Sequence, residues 1–103
     1  MYRIEFLPIA KKDIEDIIYY ISYDLKNITA AKKLRDLFMS GIDNILEFPY
    51  GNAVYKPIGV LKNEYRSYKI KNFLMFYTID EKEKLITVVR VLYQKMDFNN
   101  ILK

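Results

Sequence analysis

Lys69 and Lys71 stand two residues apart in an apolar, aromatic stretch. On a β-strand that spacing puts both ammonium groups on one face. Arg66 precedes them, and Arg90 lies in a second stretch of the same kind. Cations grouped in this way suit an anionic partner, either nucleic acid or an acidic protein segment. Cysteine and histidine are both absent. Their absence removes thiol nucleophiles, disulfides, zinc sites and every mechanism with an imidazole base, the Ser-His-Asp triad included. Any catalysis has to come from Lys, Arg, Tyr, Asp or Glu, and a metal site would be oxygen-only. The carboxylates gather at Asp13, Glu15 and Asp16 and at Asp80, Glu81 and Glu83. The first group reads as a helix surface and the second as a turn, so both read as solubility and capping charge. The three glycines are scattered and form no phosphate loop.

The chain has 103 residues, the length of one domain spanning 1–103. Half of its residues are hydrophobic, which is a globular composition. No apolar run is long enough to span a bilayer, and the N-terminus lacks the layout of a signal peptide. The expected compartment is the cytoplasm, with no membrane contact. The net charge is +4, and the excess of base lies in residues 51–103. Ten tyrosines and six phenylalanines stand against no tryptophan; most should be core or half-buried strand residues.

Elements that must position the cations follow from periodicity. Residues 2–7 alternate as a first strand. Pro8 suits a first helical turn. Ile14, Ile17, Ile18, Ile21 and Leu25 then recur at spacings of three and four, which predicts a helix over about 9–25. Thr29 is the expected N-cap of a second helix, whose apolar face runs from Leu34 to Phe48 and which Pro49 ends. Gly41 inside it either weakens the helical pattern or marks a close contact with the neighbouring helix. A loop follows to about residue 63. Three strands come next, over 64–71, 73–80 and 85–93, joined by short links as an antiparallel meander. The tail over 94–103 reads as a short helix or an extended segment.

The predicted fold class is therefore α+β: a strand, an antiparallel helical hairpin and a three-stranded meander in one sheet. The hairpin covers one face of that sheet. Alternation assigns the other. With Phe73, Met75, Tyr77 and Ile79 inward, Leu74, Phe76 and Thr78 point outward. With Val89, Val91 and Tyr93 inward, Ile86, Val88, Arg90 and Leu92 point outward. The open face then shows Lys69, Lys71 and Arg90 among Leu74, Phe76, Val88 and Leu92, an apolar and basic surface of the kind that binds partners.

In this order and spacing the elements resemble the RelE/ParE superfamily of bacterial type II toxins. The resemblance rests on three runs: Tyr2-Arg3-Ile4-Glu5-Phe6-Leu7-Pro8, the stretch from Glu64 to Asp80, and Arg90-Val91-Leu92-Tyr93-Gln94-Lys95-Met96-Asp97. It implies a bacterial or plasmid-borne toxin, a cognate antitoxin that binds the toxin with an acidic or amphipathic segment, and no cofactor. It also implies one of two targets. RelE-like members cut mRNA on the ribosome, and ParE-like members poison DNA gyrase. A third reading is an inert member that binds only its antitoxin.

In the nuclease branch a ribose hydroxyl attacks the adjacent phosphate, and cations hold the developing charge. By resemblance, Lys69 and Lys71 match the lysine pair of that branch. Its third-strand arginine falls at Leu74, which carries no charge. Its next arginine falls near Lys95 or Met96, and its tail tyrosine nearest Phe98, which has no hydroxyl. Arg66, Arg90 and Tyr93 could supply a different set. Loss of one charge donor from such a site costs about two to three powers of ten in rate. These departures favour the ParE-like reading. The binding surface, for target or antitoxin, then comprises Lys69, Lys71, Leu74, Phe76, Val88, Arg90, Leu92 and Lys95.

Overall fold

A computed structural model of the chain describes residues 1–55, 64–95 and 101–102. Strand β1 spans Arg3–Phe6. Helix α1 spans Pro8–Tyr19, with Pro8 in the first turn as expected. The helix does not run unchanged to residue 25. Over Tyr20–Asp24 it widens into a π turn, closed by the Leu25 N–H donating to the Tyr20 carbonyl at 3.0 Å. Across this turn Ile21 still packs on the core, while Tyr20 and Tyr23 face solvent.

Helix α2 spans Ile28–Glu47. Its N-cap is Asn27 and not Thr29: the Asn27 side-chain carbonyl accepts the Ala30 N–H at 3.0 Å. The chain reverses just before it at Lys26, whose φ is 52°. That reversal leaves Asn27 outside the helix, where a short amide side chain can reach back to the first free N–H groups. Ala31, Leu34, Phe38, Gly41 and Ile45 form its buried stripe at spacings of three and four.

Strands β2 (Arg66–Ile70), β3 (Phe73–Asp80) and β4 (Leu85–Tyr93) follow. The sheet order is β1-β4-β3-β2. β1 lies parallel to β4, and the other two pairings are antiparallel. Helix α1 packs on β4 and α2 on β2. Between helices and sheet lies a core that includes Ala10, Leu34, Phe38, Ile45, Met75 and Tyr77. This is the expected α+β architecture. Among the described residues no helix is long and apolar enough to cross a membrane.

The facing of β4 differs from simple alternation. Tyr77 pairs with Val88 and Phe76 with Arg90, so Val89 is an extra residue opposite β3. A bulge of this kind reverses the side-chain parity of the strand. Ile86 and Val88, expected outward, are fully buried in the helix-side core. Val89, expected inward, packs on the other face. Val91 points inward as expected, and Tyr93 is 40% exposed.

The second face is not open either. Phe76 and Leu92 are buried there with Tyr65 and Leu102, and Tyr55, Leu74, Val89 and Ile101 pack around them. Residues near 55 and 101–102 therefore cover the surface that alternation left to solvent. The remainder of the predicted loop and of the predicted tail lies outside the described residues.

Gly41 makes a close contact, but with the sheet and not with the other helix. A Cβ there would stand 2.9 Å from Tyr68 Cε2 and 3.0 Å from Ile70 Cδ1. The Tyr68 ring is half-buried and can swing aside for a methyl group. We expect Gly41→Ala to be near neutral, because about 1 kcal/mol of helix propensity offsets the displaced ring. Gly41→Val should destabilise by about 1–3 kcal/mol through overpacking. Urea unfolding midpoints of both variants check this.

Candidate functional site

The second strand carries the two lysines at its far end. Lys69 is exposed on β2 opposite Leu74 of β3. Lys71 is exposed in the turn into β3, at a φ of 55°. A left-handed conformation is costly for a lysine and favours glycine or asparagine. Among the described residues neither side chain forms a hydrogen bond or ion pair. Both line a groove of about 180 Å³ with Leu37, Ser40, Tyr68 and Ile70.

That groove runs along the free edge of β2. The first half of the edge is covered: the Tyr55 N–H donates to the Tyr65 carbonyl at 2.7 Å and the Ser67 N–H to the Ala53 carbonyl at 3.4 Å. Residues 65 and 67 thus turn their backbone groups away from β3, and by alternation so does Lys69. Among the described residues no strand covers the edge at Lys69.

The two arginines are engaged elsewhere. Arg66 Nη1 donates to the Asn52 carbonyl at 2.7 Å and to the Tyr50 carbonyl at 3.4 Å. Its guanidinium lies 5.0 Å over the Tyr50 ring, with Glu64 at 3.5 Å. Arg66 pairs with Tyr77, whose side chain is in the helix-side core. It therefore shares the helix-side face with Tyr68, opposite to Lys69.

Arg90 forms a two-pronged ion pair with Asp13 of α1, Nε at 2.8 Å and Nη2 at 2.9 Å. The carboxylate also accepts the Val91 backbone N–H at 3.0 Å. This pair, its side chains 23% and 13% exposed, raises the Arg90 pKa above its ordinary value. The sheet thus brings Lys69, Lys71 and Leu74 together and keeps Arg66 and Arg90 apart from them. Lys95 is exposed just after β4. Phe76, Val88 and Leu92 are buried, for the reasons given by the bulge and the covered face. Met96 and Phe98 lie outside the described residues.

Sequence reading missed a polar cluster at the opposite end. Glu81, in the β3–β4 turn, accepts the Tyr2 hydroxyl at 2.6 Å and the Tyr50 hydroxyl at 2.8 Å, and pairs with Lys84. The Lys84 ammonium first, then the two hydroxyls, lower the Glu81 pKa to about 2. The bond to Glu81 pushes Tyr50 up to about 12. Tyr77 donates to the Pro49 carbonyl at 2.7 Å. Together these bonds fasten the turn after α2 to the sheet and hold the carbonyls that engage Arg66. Asp80 has the capping role expected of it, accepting the Glu83 N–H at 3.1 Å. Among the described residues no cluster of side chains could hold a metal ion.

An N-terminal strand, a helical hairpin on one face and an antiparallel meander in one sheet are the arrangement that the resemblance implied, and the structure adds that β1 lies alongside β4. Residues 4–98 match the family model described as the ParE toxin of the type II toxin–antitoxin system parDE. The chain belongs to the ParE toxin family. It is a toxin of a type II toxin–antitoxin system. No curated protein matches it.

Solved structures share the toxin's fold at low identity. A metal-bound toxin from Helicobacter pylori is 21% identical, with a TM-score of 0.62 over 90% of this chain and 94% of that one. The archaeal RelE–RelB complex from Pyrococcus horikoshii OT3 gives 14% and 0.61 over 93% and 98%. The intact Escherichia coli RelBE toxin–antitoxin complex gives 15% and 0.54 over 93% and 100%. At these identities the likeness is one of fold.

Two predictions follow from the side-chain geometry. Asp13→Ala leaves the Arg90 guanidinium and the Val91 N–H without their acceptor and should cost about 2–3 kcal/mol of stability in urea unfolding. Asp13→Asn keeps an acceptor and should cost less. In a carboxyl NMR titration Glu81 should titrate at about 2, against an ordinary value of 4.5. Its folded pKa is depressed, so its stabilising contribution is complete above the ordinary range and is lost as pH falls through about 2. In Lys84→Met the titration should move up towards the ordinary range.

Proposed function

We propose that this toxin arrests growth by binding DNA gyrase, in the cytoplasm, and that its cognate antitoxin neutralises it. One observation carries the choice of target. Arg66 and Arg90, the arginines available to a phosphate site, are bound within the fold, and Leu74 offers no charge where the nuclease branch has an arginine. A phosphoryl-transfer site depends on preorganised cations aimed at the developing charge. Lys69 and Lys71 alone are a thin set for that work, whereas a toxin that acts by binding needs no such constellation.

The antitoxin is expected at the uncovered part of the β2 edge. There backbone groups of Lys69 face outward beside a mostly apolar groove, and two ammonium groups flank it. An extended acidic segment could add a strand and set its carboxylates against the lysines. The RelE–RelB and RelBE neighbours are solved as complexes, which supports an antitoxin partner in general terms.

The second reading, ribosome-dependent mRNA cleavage, draws on the exposure of Lys69 and Lys71 on one groove. The experiment that separates the two is induced expression without the antitoxin. Gyrase-dependent DNA breaks with intact messages are expected. Cuts at reproducible codon positions within translated frames, lost on Lys69→Ala, would overturn the gyrase reading in favour of the nuclease.

A further inference from the structure

β1 forms the sheet edge opposite β2, and among the described residues β4 is its only strand neighbour. The Arg3 N–H donates to the Lys84 carbonyl at 2.8 Å and the Leu7 N–H to the Val88 carbonyl at 3.0 Å. Odd-numbered residues of β1 thus face β4. By alternation the N–H and C=O groups of Tyr2, Ile4 and Phe6 face away from the sheet, unpaired by it. Such edges are commonly blunted by proline, a bulge, charge or shortness. β1 carries neither proline nor bulge, but it is only four residues long.

Its charges are instead symmetric and opposite. Tyr2-Arg3-Ile4-Glu5-Phe6, laid antiparallel against itself about Ile4, sets Arg3 opposite Glu5, Glu5 opposite Arg3, and Tyr2 opposite Phe6. Ile4 meets Ile4, and because its backbone groups face outward this pair is of the hydrogen-bonded kind. The alternative register, centred on Glu5, brings two carboxylates face to face, which is destabilising.

Side-chain facing agrees with the first register. Arg3 and Glu5 are exposed, and among the described residues neither side chain has a hydrogen bond or ion pair. Tyr2, Ile4 and Phe6 are only half-buried against the helix-side core, so the edge leaves apolar surface uncovered. Beside it, Phe6 and Ile14 line a shallow apolar groove flanked by Lys11 and Glu15, a further pair of opposite charges.

We propose that the β1 edge is a self-association surface. Two copies pair through antiparallel β1 strands about a two-fold axis at Ile4, giving one continuous sheet with an Arg3–Glu5 pair on each side of the axis. The contact is isologous, and so it closes at the dimer. Its short seam makes it a weak, concentration-dependent contact, not an obligate one. It leaves the β2 edges at the two far ends, clear of the seam.

Sedimentation velocity over a concentration series of the purified toxin tests this. The wild type should pass from monomer to dimer. Arg3→Glu or Glu5→Arg replaces both attractive pairs with repulsive ones and should weaken association about tenfold or more. Among the described residues neither side chain has a hydrogen bond or ion pair to lose, and a thermal melt of each variant checks that folding is intact. Arg3→Glu combined with Glu5→Arg should restore the dimer, and an equimolar mixture of the two single variants should form it by hetero-pairing. A wild type that stays monomeric at every soluble concentration would overturn the proposal. So would a dimer indifferent to the single reversals, or a double reversal that fails to restore it. If the charge variants lose antitoxin affinity while the free toxin never dimerises, the edge belongs to an antitoxin strand, and the proposal also fails.

Discussion

The chain has to satisfy the backbone of β4 on both sides, and β1 is too short to do so. Among the described residues β1 pairs only with the stretch from Leu85 to Val88. Past it, the Val91 N–H would be left open beneath a helix, at a cost of about 1–3 kcal/mol for an unmet buried donor. Asp13 fills that place, accepting the Val91 N–H and both prongs of Arg90. One carboxylate therefore continues the work of a strand, pins α1 across β4 and neutralises Arg90 beside the bulge. The bulge at Val89 belongs to the same solution. It lets Ile86 and Val88 fill the helix-side core, and then changes parity so that Leu92 fills the second face.

Much of this was legible in the sequence, and the exceptions have physical causes. β3 and β4 fall at the bounds that alternation predicted, and the helices fall close to theirs, because period and length are local properties. The register of β4 was not legible. A bulge costs one residue, and a strand apolar on both faces looks the same before and after the slip. The Asn27 cap was missed because Thr29 offers an equally good hydroxyl, and only the reversal at Lys26 decides between them. The Glu81 cluster joins residues 31 and 79 positions apart in sequence. No pattern within a window of ten or twenty residues could reveal it.

The candidate site was legible by residue type but not by assembly. Lys69 stands on β2 as the spacing predicts, but β2 ends at Ile70 and Lys71 falls in the following turn; both are exposed and unpaired among the described residues. Residue type alone groups Arg66 and Arg90 with them as candidate cations, yet the sheet uses both to fasten itself. Arg66 holds the turn after α2 through the Asn52 and Tyr50 carbonyls, and Arg90 holds α1. A long cationic side chain near the start of an edge strand or on a bulge meets carbonyls and carboxylates of the covering elements before it meets a ligand. Strand parity alone assigns such a side chain to a face and cannot assign it a partner.

The two edges of the sheet are unlike, and the difference bears on how such a toxin can be held in check. The uncovered end of the β2 edge carries Lys69 and Lys71, charge of one sign that disfavours a copy of itself and suits the acidic strand proposed for the antitoxin. At the β1 edge the charges cancel by symmetry, so it repels neither. Outward backbone groups remain at both, at Lys69 on β2 and at Tyr2, Ile4 and Phe6 on β1, so side-chain charge helps to set what each edge accepts. If the antitoxin takes the β2 edge as proposed, the β1 edge stays free, and the sheet between them fixes their separation.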